Sequence, residues 1–199
     1  MRIGESNNIK DIVPVLANVF LEDYVLSNDL LAEYQGYYNL KQDALGTLTK
    51  YFNNQMSDYE ILSMNSDNDC LKIEINDLNY CLMAEEMVRE KNLSIEIQDF
   101  KFPCTFCFQG IQHYTISQVG ANGELVEIPD YSLVSNAQIL FDQLIYVDND
   151  NIEIGFSIWK YMGGTGHNFL LLISAKTCQV IETQIELFDK LINSNISEF

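Results

Sequence analysis

From Tyr59 onward the apolar residues stop recurring at helical spacing and begin to alternate with polar ones. That change of period constrains the chain more than any other feature. Alternation sends successive side chains to opposite faces of a pleated strand, so short alternating runs between polar turns predict antiparallel hairpins. Segments 59–64 and 71–75 flank Asn65-Ser66-Asp67-Asn68-Asp69 and read as a first hairpin. Strands are expected at 93–102, 104–119 and 125–128, the last two joined through Gly120-Ala121-Asn122-Gly123. Strands 152–161 and 169–174 flank the connection 162–168, and 178–183 follows after Ala175-Lys176-Thr177.

Before Tyr59 the spacing is helical. Asn39 is placed to cap a helix over 40–53, with Ala44, Leu45, Leu48, Tyr51 and Phe52 recurring on one side. Asn28 or Asp29 can start an earlier helix whose Leu30, Leu31, Tyr34, Tyr37 and Tyr38 read as a core stripe. Segment 9–24 contains Pro14, which begins that helix or kinks it. Short helices are expected at 83–90 and 185–192.

Segment 135–148 reads both ways. Ser135 with Gln138 forms a capping box ahead of Leu140, Phe141, Leu144 and Ile145, while Ile139, Phe141, Ile145 and Val147 fit a strand face.

Helices first and strands later predict an α+β fold, with N-terminal helices packed on a mostly antiparallel sheet, a meander. The expected organisation is a single domain, 1–199, mainly helical over 1–55 and mainly β over 56–184. A C-terminal helix and tail complete it over 185–199. With 47% hydrophobic residues the chain can fill such a core.

The motifs that carry chemistry are weak. Cys104-Thr105-Phe106-Cys107 has the spacing of a metal or redox pair, but Phe102, Cys104, Phe106 and Phe108 alternate along one face. Cys107 then points the other way, so the two thiols cannot share a metal. Gly163-Gly164-Thr165-Gly166-His167-Asn168 lacks the following helix and lysine of a phosphate-binding loop and reads as a hairpin connection. Asp67-Asn68-Asp69 and Asp148-Asn149-Asp150-Asn151 lack the glycine and distal glutamate of a calcium loop. No cofactor, no metal and no catalytic residue is assigned. The rival expectation is a small hydrolase or transferase using His167, taken to sit in a turn, with a nearby Cys or carboxylate.

Five cysteines at irregular spacing suggest reduced thiols. Residues 12–21 are mostly apolar, but Glu5 and Asp11 precede them, Pro14 and Asn18 interrupt them and Glu22-Asp23 follow. No signal peptide is expected, and the localisation expected is cytoplasmic. No run reaches the ~18 apolar residues of a membrane-crossing helix.

Charge is the sharpest functional feature. There are 29 Asp and Glu against 11 Lys and Arg, a net charge of −18. Direct binding to nucleic acid or an anionic membrane is disfavoured, because both demand cations against phosphate. No basic residue lies between Lys101 and Lys160, a window holding Glu124, Glu127, Asp130, Asp142, Asp148, Asp150 and Glu153. A negative field accelerates capture of a cationic protein. The expected function is therefore non-catalytic: neutralising a partner with a basic surface, in the manner of an immunity-type inhibitor of a bacterial toxin effector. The expected contact residues are Asp142, Asp148, Asp150 and Glu153, with Tyr131 and Trp159 as aromatic anchors.

Overall fold

Two three-stranded antiparallel runs close on one another. β1 (Tyr59–Asp67), β2 (Cys70–Asp77) and β3 (Pro103–Val119) form one, and β5 (Gln138–Val147), β6 (Ile152–Met162) and β7 (Thr165–Glu182) the other. β3 pairs with β7 from Cys104↔Glu182 to Gln118↔Phe169, and β1 meets β5 at Tyr59↔Ile139 and Glu60↔Gln138. The sheet order β2-β1-β5-β6-β7-β3-β4, with the added β2–β3 pairing, is thus a closed ring. β4 (Leu125–Glu127) sits on the edge of β3 beyond the end of β2. Every described pairing is antiparallel, but the sheet is two meanders joined rather than one. The fold is α+β.

These statements rest on a computed structural model, which describes residues 6–52, 59–67, 69–77, 103–129 and 131–182, with Leu82, Glu85, Glu86, Arg89 and Glu90. The expected strand 93–102 and helix 185–192 lie outside the described residues, as does half of the expected helix 83–90, whose described residues Glu85, Glu86, Arg89 and Glu90 are helical.

Alternation explains what fills the ring. Ile61, Ile73, Ile75, Phe106, Phe108, Leu144, Ile154, Phe156, Phe169 and Leu171 point inward and belong to one buried cluster. Phe52, from the segment after the helices, enters the same space, its ring centroid 5.4 Å from Phe106, 5.8 Å from Phe156 and 6.4 Å from Phe108. Each such buried side chain contributes about 1.5–3 kcal/mol. The interior is packed with aromatic rings.

Within 135–148, Gln138–Val147 is strand β5, preceded by a turn at Ser135 and Asn136. Its register slips between Ile139 and Phe141 and again between Leu144 and Tyr146. Each bulge inserts a residue and shifts the phase of the alternation, which is why the sequence also fits a helix face.

α1 (Ile9–Ile12), α2 (Pro14–Phe20) and α3 (Asn28–Leu45) precede the sheet. Pro14 opens α2, as its missing N–H and fixed φ favour. Val13 offers α2 no capping side chain; instead the Gln143 side-chain oxygen on β5 accepts from the amides of Val15 and Leu16 at 3.0 and 3.1 Å. Ile9, Val13, Leu16, Ala17 and Leu21 share a second buried cluster with Leu170 and Leu172 of β7.

α3 corrects the expected break at Asn39. The helix is continuous, capped by Ser27, whose hydroxyl accepts from the Leu30 amide at 3.2 Å. Asn39 is exposed and bonds Gln35 one turn back, so it does not act as a cap. A 3₁₀ turn at Gly46–Lys50 follows α3. No described helix is long and apolar enough to cross a membrane.

Candidate functional site

The β5–β6 turn carries the acidic group expected from sequence. The Asp148 carboxylate accepts from the amides of Asp150 and Asn151 at 2.9 and 2.8 Å, and from the Tyr146 hydroxyl at 2.6 Å. The Tyr146 hydroxyl, then the Asp150 amide, hold this carboxyl below its ordinary range, so it stays ionised. Asp150 is exposed, and Glu153 is half-buried, accepting from the Ser174 hydroxyl at 3.4 Å. Beside the turn lies a cleft of about 300 Å³, lined by Leu45, Leu48, Asn149, Lys176 and Cys178 among others. Burial pushes the Cys178 thiol far up, which disfavours its thiolate form.

Asp142 is a correction. It is 2% exposed, because the first β5 bulge turns it into the ring opposite Phe156. There its charge adds to burial in raising the hydroxyls of Tyr34 and Tyr38. A surface contact with a partner is not available to it. Charge arithmetic counts carboxylates without knowing which strand face they occupy.

Trp159 lies six residues along β6 from Glu153, about 20 Å away at strand rise. The acidic turn and this aromatic residue therefore do not make one patch. Around Trp159 the register assembles an outward-facing row: Glu60 on β1, Gln138 on β5, Trp159 on β6 and Asn168 on β7. Tyr161 follows two residues on, its ring centroid 6.4 Å from that of Trp159. Opposite Tyr161 stands Gly166, and a Cβ there would lie 2.7 Å from the Trp159 indole nitrogen. The bare backbone of Gly166 is what lets the indole lie down across β7. Trp159 and Tyr161 stay 37% and 64% exposed. Sequence reasoning missed Tyr161, Gln138, Asn168 and Glu60; the Trp-x-Tyr spacing on an alternating strand was the available signal. Tyr131 falls in the 3₁₀ turn Tyr131–Val134, and its side chain lies outside the described residues.

Lys160, between the two aromatics, faces the other way. Its ammonium donates to the carbonyls of Leu133 and Ser135 at 2.7 and 2.6 Å, tying that 3₁₀ turn to the mouth of the ring.

His167 is a further correction. The turn is only Gly163-Gly164, both at positive φ as a tight hairpin requires, and His167 is already in β7, paired with Lys160. Its ring lies against Phe169, and its Nε2 is 3.0 Å from the Thr165 hydroxyl. Neither partner is the Cys or carboxylate that the enzyme expectation requires. Cys104 shares the inward cluster with Phe106 and Phe108, as the alternation requires. Among the described residues, no three His, Cys, Asp or Glu side chains gather as a metal site.

The chain matches no family model, no curated protein and no solved structure.

Proposed function

We propose that this chain is a non-catalytic, acidic binding protein of the cytoplasm that neutralises a partner with a basic surface. Its preferred instance is an immunity-type inhibitor of a bacterial toxin effector. In this reading the helices act as a cover packed on the sheet within a single domain, leaving the strand ends and turns to the partner.

The observation that supports it is the charge excess of the whole chain, 29 carboxylates against 11 cations. Among the described residues, the ion pair formed is Arg89–Glu86 at 4.0 Å. Lysines that could have paired are directed elsewhere. Lys160 binds carbonyls, Lys10 lies over the Tyr24 ring, and Lys41 lies over Tyr37 and Tyr146. Carboxylates such as Asp150 thus keep their field toward solvent, where it steers a cationic partner. Asp148, Asp150 and Glu153 at the β5–β6 turn, with Tyr131 and Trp159, are the proposed contacts.

The test is to capture the partner with the full chain and measure its association rate over a series of salt concentrations. The expected rate falls steeply between low and physiological ionic strength. A rate indifferent to salt, or a captured partner without a basic surface, overturns the reading.

A further inference from the structure

We infer that the outer face of β6 and β7 around Trp159 and Tyr161 is a platform for an arginine side chain of the basic partner; this rests on the function proposed above. Three features of the surface carry it. Trp159 and Tyr161 are neighbouring, solvent-facing rings on the one strand β6 rather than on a loop, so their geometry is set before a partner arrives. Gly166 fixes the Trp159 indole across β7, because any side chain there would meet it. The row through Trp159 supplies acceptors at one-strand intervals. Gln138 and Asn168 are the register neighbours of Trp159 on β5 and β7, and Glu60 lies two strands away, about 10 Å at sheet spacing.

That combination fits a planar cation. A guanidinium stacks on an aromatic face through the ring quadrupole, while its edge N–H groups donate to amide and carboxylate oxygens. An ammonium finds the same attraction without the planar fit. The chain's own Lys160, the cation nearest in sequence, has its ammonium bound to the Leu133 and Ser135 carbonyls, so it does not compete for the rings. The whole-chain charge of −18 supplies the complementary field.

Trp159 is the sole tryptophan, so its emission reports this surface alone. The experiment titrates the full chain at low salt with a short oligoarginine. Parallel titrations use oligolysine of equal length, oligocitrulline as the uncharged isostere, and a neutral oligosaccharide. The expected result is saturable quenching by oligoarginine, weaker quenching by oligolysine and none by the two neutral probes. By calorimetry, Tyr161→Ala and Trp159→Ala each weaken oligoarginine binding roughly tenfold. Tyr161 is largely exposed, so its variant tests the platform without disturbing the core. Oligoarginine binding that leaves the emission and both variants' affinities unchanged overturns the platform while sparing the acidic-binder reading. Absence of any oligoarginine binding at low salt overturns both. Quenching by the oligosaccharide at lower concentration than by oligoarginine overturns the cationic assignment.

Discussion

The hydroxyl of Tyr34, on α3, accepts a hydrogen bond of 2.9 Å from the backbone amide of Leu144, on β5. One helical turn later the Tyr37 hydroxyl accepts from the Val147 amide at 3.1 Å. β1 pairs with β5 only at Tyr59 and Glu60, so the rest of β5 has no described strand on that side. Two tyrosines three residues apart on α3 thus accept from two amides on that side of β5.

Removing either hydroxyl leaves a strand amide without its acceptor. Tyr34→Phe is expected to cost about 1–3 kcal/mol, because the Leu144 amide is buried. Tyr37→Phe, at a half-buried site, is expected to cost about 0.5–1.5 kcal/mol. Urea unfolding midpoints of the two variants check both values and their order. A Tyr34→Phe protein as stable as the parent would show that the bond contributes nothing net.

The same tyrosines set an alkaline limit. Burial, and then the charge of Asp142, raises the Tyr34 phenol well above its ordinary value, and burial also raises Tyr37 and Tyr38. In the unfolded chain these groups release their protons near pH 10, while the native protein retains them. The native state then holds more protons, so stability is fully present below about pH 10 and falls as pH rises beyond it. Urea midpoints measured from pH 8 to 11 are expected to be level and then to drop. In Tyr34→Phe the drop is expected to be shallower, and an equal slope would exclude Tyr34 as its source.

Phe52 is 1% exposed among Phe106, Phe108 and Phe156. Phe52→Ala empties the centre of the ring, and the surrounding strands are held in register and cannot close around the void. The expected loss is about 3–5 kcal/mol, with Phe52→Leu losing less. Thermal unfolding of the two variants gives the comparison, and equal losses would mean that ring packing is not what the site requires.

Gly166→Ala is a probe of the outer face. A methyl group there would sit 2.7 Å from the Trp159 indole nitrogen, so the indole must swing away. The indole is the mobile end of a side chain, so the expected stability change is under about 1 kcal/mol. The emission of Trp159 is expected to shift to longer wavelength as the ring enters water. An unchanged spectrum would show that Gly166 does not position it.

Much of this architecture was readable from alternation, and the failures have physical causes. The 104–119 strand matched closely because Cys104, Phe106 and Phe108 set its inward phase before the register slips between Ile111 and His113. β5 was ambiguous because its two bulges break that phase, and the same bulges carried Asp142 from the expected surface to the interior. Lys176 and Thr177 look like a turn that would split β7 in two, yet they are exposed positions in a strand that runs on from Thr165 to Glu182. Closure of the ring was not readable at all. It depends on which distant strands pair, β1 with β5 and β3 with β7, and no local pattern records that. The row around Trp159 was hidden for the same reason, since its members come from four strands brought level only by register.

The tyrosine contacts of α3 also bear on how the protein behaves in company. An uncovered strand is a template on which a second chain can build, the usual first step toward aggregation. β5 is rich in Ile, Leu, Phe and Val, and its amides at Leu144 and Val147 would otherwise offer themselves to such a neighbour. By holding those donors, Tyr34 and Tyr37 make the helix a guard against self-templating, a service to solubility separate from that of the surface charge.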